Sequence, residues 1–158
     1  MTDAISVSVV ADADTLFGGT TRALLIHLDY EGLIALHWRA DILSEMSRAL
    51  VRSGRRRDTA HACENEVLMR RSLPDAEVHT EDVQRELVRA KDAVHSLKDA
   101  HVAACAMALV PRDPGAIVHL LTKNLKDFRR LALQRAGIHL QPDGQEITAC
   151  QLASCLEA

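Results

Sequence analysis

The segment VVADADTLFGG, residues 9–19, decides which fold we expect for this chain. It completes an apolar stretch over residues 5–11 that predicts a short buried strand. Asp12 and Asp14 follow where that strand reaches the surface, and a threonine and two glycines come shortly after. Carboxylates in such a position bind metal ions, take part in phosphoryl transfer or cap helices. The segment alone therefore leaves three functions open.

The composition predicts one globular domain over residues 1–158. A chain of 158 residues can bury a sizeable core, and 47% apolar with 26% charged residues excludes a disordered chain. Aromatic residues make up only 3%, which argues against a platform for base stacking. The formal net charge of −3 argues against general binding of polyanions.

An arginine cluster stands out against this mildly acidic background, comprising Arg52, Arg55, Arg56 and Arg57. A basic patch of this kind can steer a phosphate backbone. A solvated helix end accounts for it equally well, so both explanations stay open.

The sequence predicts a cytoplasmic protein without membrane association. No apolar run reaches the roughly 18 residues that span a bilayer, and the first residues lack the basic region of a signal peptide. The four cysteines are not in CxxC spacing, which favours reduced thiols. They are Cys63, Cys105, Cys150 and Cys155.

Predicted strands and helices alternate along the chain. The strands are expected at 5–11, 33–37, 76–79, 116–121 and 138–140, and the helices at 15–30, 40–52, 57–72, 80–91, 98–110, 125–136 and 145–157. This alternation predicts an α/β fold with a parallel sheet and helices on both of its faces. Ligands of such folds bind beyond the carboxyl ends of the strands, where Asp12 and Asp14 fall.

Three further acids are candidates for the same site. Asp127 follows the predicted strand 116–121, and the ends of parallel strands share one edge with Asp12. Glu45 lies at the border of an apolar helix stripe, and Asp99 opens a helix rich in small residues. Taken singly, each is explained as a surface acid or as a complement to a helix dipole.

Carboxylates gathered at one edge would require a compensating charge. Two of them about 4 Å apart repel by roughly 4 kcal/mol at an effective dielectric constant near 20. Oxygen ligands of this kind suit Mg²⁺ or Mn²⁺. Such ions activate water and position a phosphodiester for in-line attack.

Four segments at these positions carry a resemblance to a known family. They are VVADADTL at 9–16, ILSEMSRALVR at 42–52, LKDAHVAACAMA at 97–108 and IVHLLTKNLKDF at 117–128. In this order they resemble the motifs of PIN-domain ribonucleases, especially the VapC-type toxins of bacterial toxin–antitoxin pairs. GIHLQPDGQ at 137–145 is similar to the continuation found in one subgroup.

The resemblance implies a PIN-like three-layer α/β/α sandwich with a central parallel sheet. It also implies an endoribonuclease dependent on Mg²⁺ or Mn²⁺, with an RNA substrate, a small antitoxin partner and a homodimer. The implied catalytic acids are Asp12, Glu45, Asp99 and Asp127. Of these, Asp12, Asp99 and Asp127 would hold the metal, and Glu45 would complete the site or orient water. The arginine cluster would then hold the RNA backbone.

Two positions depart from the family pattern. Asp14 stands where the family usually has Asn, which adds negative charge, and Asn124 stands where some members carry a further Asp. Asp14, Thr122 and Asn124 are accordingly expected to support the site. The four core acids are all present, so the resemblance implies an active enzyme.

Three alternatives remain at this stage. The fold could serve as a non-catalytic module that binds RNA or forms complexes. DADTL also resembles the start of haloacid dehalogenase-like phosphatases, in which Asp12 would be the nucleophile, although Thr15 comes one residue too early. His101 and Cys105 at i, i+4 could ligate a structural zinc ion, but a second pair of ligands is not evident.

Overall fold

The computed structural model describes residues 7–112 and 117–142. Its strands are β1 (Val7–Ala11), β2 (Ala35–His37), β3 (Ile117–Thr122) and β4 (Ile138–Pro142). Its α-helices are α1 (Ala13–Phe17), α2 (Gly19–Tyr30), α3 (Ala40–Arg52), α4 (Thr59–Ser72), α5 (Thr80–Ala90), α6 (Leu97–Arg112) and α7 (Arg130–Arg135). Two 3₁₀ turns span Lys91–Ala93 and Leu125–Asp127.

The strands form a parallel sheet in the order β2-β1-β3-β4. In the register of β1, Val9 pairs with Leu36 of β2 on one side and with His119 of β3 on the other. Helices flank the sheet, so the predicted α/β sandwich with a central parallel sheet is confirmed. The carboxyl ends of β1 and β3 lie side by side, because Ala11 pairs with Leu121.

Burial explains why β1 is apolar without alternation. All five of its residues are buried, as expected of a central strand covered on both faces. The small side chains of α6 allow that helix to pack closely on β1 and β3. Its residues from Val102 to Leu109 are all buried, so its alanines belong to the core.

Two predicted helices are each interrupted. The helix expected over 15–30 is divided into α1 and α2 at Gly18, whose backbone is extended. The helix expected over 125–136 is a 3₁₀ turn followed by α7. Arg129 lies between them and donates its N–H to the Ala93 carbonyl (2.7 Å). This hydrogen bond to a distant segment replaces the one that a continuous helix would have made.

The expected strand over 76–79 is reduced to a bridge. Glu77 pairs in parallel with Trp38 beside β2, where Val78 N–H donates to the Trp38 carbonyl (2.9 Å). The helix expected over 145–157 lies outside the described residues, as does part of the loop before β3. Across the described part of the chain, no helix has the length and apolar character needed to cross a bilayer.

Candidate functional site

Asp12 lies directly after β1 and is held from three sides. Its Oδ1 accepts the Ala13 N–H (2.7 Å), and its Oδ2 accepts the Thr122 hydroxyl (3.2 Å). Its own N–H donates to the Leu121 carbonyl of β3 (3.0 Å). Asp12 therefore caps α1, but capping occupies only one of its carboxylate oxygens. The other points to the end of β3.

The environment of Asp12 disfavours its charged form. The side chain is only 8% exposed, and burial together with the negative charge of Asp14 raises its pKa to about 7. The hydrogen bonds from Ala13 and Thr122 act in the opposite direction, and Glu45 adds a smaller increase. A buried carboxylate beside other carboxylates is stabilised by a nearby cation.

Asp14 joins α1 to the end of β3. The side-chain amide of Asn124 donates to Asp14 Oδ2 (2.8 Å), and the Lys123 N–H donates to Oδ1 (3.4 Å). The Asn124 N–H in turn donates to the Thr122 hydroxyl (3.1 Å). The three residues expected to support the site are thus linked to one another and to Asp12 by hydrogen bonds.

Glu45 approaches this edge from α3, and its direct partner is Lys98. The Lys98 ammonium forms an ion pair with the Glu45 carboxylate, and this hydrogen bond raises the pKa of Lys98. Asp99 and Asp12 act on Lys98 in the same direction. Lys98 is therefore a positive charge among three of the four predicted catalytic acids. The sequence analysis missed it, although it directly precedes Asp99.

Asp99 also has a structural role at the start of α6. Its Oδ2 accepts the Ser96 hydroxyl (2.6 Å), and its N–H donates to the Ser96 oxygen (3.3 Å). This reciprocal pair resembles a capping box. The carboxylate is hence oriented by helix capping while it contributes to the field around Lys98.

Asp127 stands apart from the other acids in its contacts. It lies in the 3₁₀ turn after β3, and the hydrogen bonds that the structure gives it are made by its backbone. Its N–H donates to the Asn124 carbonyl (3.0 Å), and its own carbonyl accepts the His95 N–H (3.2 Å). The role of Asp127 as a metal ligand stays a prediction.

The acids near Asp12 have the chemistry of ligands for a divalent ion, but they are not grouped as closely as metal ligands are. Asp12, Glu45 and Asp99 offer carboxylate oxygens, as Mg²⁺ and Mn²⁺ prefer, and the buried Asp12 carboxyl gains from a cation. Within residues 7–112 and 117–142, however, no three His, Cys, Asp or Glu side chains are grouped closely enough to hold a metal ion. Lys98 already places a positive charge beside these acids.

Two hollows open on either side of Glu45 and share Arg52. One, of about 570 Å³, is lined by Asp14, Phe17 and Lys123 among others. The other, of about 350 Å³, is lined by Lys98 and His101 among others. Asp14 and Glu45 thus border a surface with room for an extended ligand. A separate hollow of about 420 Å³ lies between α3 and α4 and has no contact with Asp12.

The four predicted RNA-binding arginines have different surroundings. Arg52 lines both hollows beside Glu45. Arg55 lies over the Phe17 ring, 4.3 Å from its centroid, and Arg56 donates to the Arg55 carbonyl (3.1 Å). Arg57 pairs with Asp58 (3.7 Å) on the exposed surface. RNA binding by these residues stays a prediction.

The contacts around the site argue against the zinc alternative. The ring of His101 lies against the Arg39 guanidinium, and Cys105 is fully buried with a pKa raised to about 12, which disfavours a zinc-binding thiolate. The raised pKa of Asp12 bears equally on a nucleophile and on a metal ligand, since both need the ionised carboxylate, so it does not separate the phosphatase from the nuclease.

Comparisons of the chain with protein-family models, with curated proteins and with solved structures found no match. The functional argument therefore depends on the residues and their geometry.

Proposed function

We propose that this protein is a PIN-like endoribonuclease that uses Mg²⁺ or Mn²⁺ and acts as the toxin of a toxin–antitoxin pair. One observation carries the proposal: the Asp12 carboxyl lies at the carboxyl edge of a parallel sheet, where burial first, then Asp14, and to a smaller extent Glu45 raise its pKa. Acids kept in such an unfavourable arrangement are typical of functional sites.

Asp12 and Asp99 would hold the ion directly or through water, with Asp127 as a predicted third ligand. The ion would supply the positive charge that lowers the pKa of water and neutralises a phosphodiester oxygen. Glu45, at the border of both hollows, would orient the attacking water. Thr122 would fix the Asp12 carboxylate through its hydroxyl (3.2 Å).

The test is cleavage of a single-stranded RNA with Mn²⁺, with Mg²⁺ and with EDTA. We expect cleavage that requires a divalent ion and falls about 100-fold or more in Asp12→Asn and Glu45→Gln. Asp75→Asn, a change at an exposed acid before the Glu77 bridge, is the matched control and should cleave normally. Circular dichroism of each variant separates lost chemistry from lost folding. Equal cleavage by wild type and Asp12→Asn would refute the assignment.

A non-catalytic RNA-binding module is the second candidate, and Lys98 favours it. Its ammonium already neutralises the negative charge of Glu45, so this carboxylate does not need a metal ion. This candidate predicts RNA binding by wild type that Asp12→Asn retains, without cleavage by either protein in any divalent ion.

The proposed protein partners are a small antitoxin and a second copy of the chain. Light scattering of the purified protein tests the homodimer. Co-expression with the adjacent open reading frame, followed by purification through a tag on this chain, tests the antitoxin.

A further inference from the structure

Arg22, Arg55 and Arg56 form a cluster of positive charge around the end of α1. The guanidinium of Arg22 donates to the carbonyls of Leu16 (2.8 Å) and Phe17 (3.4 Å). That of Arg55 donates to the same Phe17 carbonyl (3.4 Å). Two guanidinium groups that share one acceptor lie next to each other, although Arg22 and Arg55 are remote from one another in sequence.

The positive charges of this cluster repel one another, and no carboxylate among the described residues forms an ion pair with them. Burial lowers the pKa of Arg22, and the charges of Arg56 and Arg55 lower it further. Among the ion pairs within the described residues, none joins Arg22, Arg55 or Arg56 to a carboxylate. The adjacent Arg57, by contrast, is paired with Asp58. Three guanidinium groups without an acid are suited to an external anion with several acceptor oxygens.

The position of the cluster relates it to the acidic edge. Helix α1 begins beside Asp12 and ends at Phe17, which corresponds to about 7 Å along its axis at the usual rise per residue. Phe17 lines the hollow that also contains Asp14 and Glu45, and Arg55 lies over its ring. A single-stranded RNA that crosses this hollow would place one phosphate near the acids and a neighbouring phosphate near the arginines.

We propose that Arg22, Arg55 and Arg56 form a phosphate-binding site that holds the RNA backbone beside the cleavage site. The proposal rests on the nuclease function above and adds Arg22, which the sequence did not indicate, while it assigns no phosphate to Arg57. The phosphate is either an internal phosphodiester or the terminal phosphate of the strand.

The test is the affinity of a fluorescent single-stranded RNA in EDTA, measured by anisotropy over a series of salt concentrations. Loss of one phosphate contact lowers the slope of log K against log salt by about 0.7. We expect that decrease, with about tenfold weaker binding, for the double variant Arg55→Gln/Arg56→Gln. Arg22→Lys keeps the charge but loses the planar donor group, and should weaken binding with less change in slope.

Two controls define the outcome. Arg135→Gln removes one exposed charge from α7 and should bind as wild type does. Arg57→Gln should have less than half the effect of the double variant. Equal effects of Arg135→Gln and the double variant, or no detectable binding by wild type, would overturn the site.

Two further arms identify the source of the phosphate and separate the two proposals. RNAs with 5′-hydroxyl and 5′-phosphate ends should bind equally if the phosphate is internal, and the latter should bind more tightly if it is terminal. Arginine-dependent binding without Mn²⁺-dependent cleavage would refute the nuclease alone. Cleavage that depends on Asp12 and is unaffected by the double variant would refute the phosphate site alone.

Discussion

Replacement of Asp12 by Asn in the metal-free protein is the most informative test of the site. The structure raises the pKa of Asp12 from 3.8 to about 7, and each unit corresponds to about 1.4 kcal/mol. The charged side chain therefore costs the folded state at most about 4 kcal/mol. With 8% exposure, solvent screening reduces this value little.

The sign follows from proton binding. Between pH 4 and pH 7 the folded protein holds the Asp12 proton and the unfolded chain has lost it. The folded state binds more protons, so the free energy of unfolding falls as pH rises through this range. The full penalty is present above pH 7. Asn carries no charge and retains an oxygen that can accept the Ala13 N–H.

We expect Asp12→Asn to be more stable than wild type at pH 8 in EDTA by about 2–4 kcal/mol, and nearly equal to it at pH 4. For a domain of this size, each kcal/mol shifts Tm by about 2–4 °C. Thermal unfolding followed by circular dichroism at several pH values measures the difference between the two proteins, in which the other titrating groups cancel.

Asp14→Asn is the graded control, because Asp14 is only the second cause of the raised pKa. It should give a smaller increase in stability at pH 8. Addition of Mn²⁺ should stabilise wild type and leave Asp12→Asn unchanged. A stability difference between wild type and Asp12→Asn that is the same at pH 4 and pH 8 would refute the reasoning about the buried charge.

Three further predictions concern neighbouring positions. Lys98→Met removes the ammonium that pairs with Glu45 and should tighten Mn²⁺ binding, measured by calorimetry, about tenfold. Weaker binding would contradict the idea that the Lys98 ammonium competes with the metal ion for these acids. Thr122→Val removes the hydroxyl that donates to Asp12 and should weaken Mn²⁺ binding in the same assay with little change in Tm; unchanged affinity would show that this hydrogen bond is not needed. Leu120→Ala opens a cavity at a fully buried position and should cost about 3–5 kcal/mol in denaturant unfolding, and a loss below 1 kcal/mol would contradict the packing described for β3.

Local patterns in the sequence were sufficient for the four strands of the sheet and for most helices, but not for the segment 76–79, which forms only a bridge. The boundaries of α3, Ala40–Arg52, were predicted to the residue, because its apolar stripe repeats with the period of a helix. The predicted helix over 125–136 was right for Arg130–Arg135 and wrong before it, because Arg129 and Asp127 hydrogen-bond to residues 93 and 95. Such contacts between distant segments leave no periodic signal in either segment.

The candidate site divides in the same way. The sequence by itself determined that Asp12 and Asp14 follow a buried strand of a parallel sheet, since strand alternation fixes which ends share an edge. Only the tertiary structure decided that Lys98 pairs with Glu45, that Arg22 joins Arg55 at Phe17, and that Asp127 makes backbone contacts. Charges exert their effects over a few ångströms of space, and the chain's order does not specify which side chains come that close.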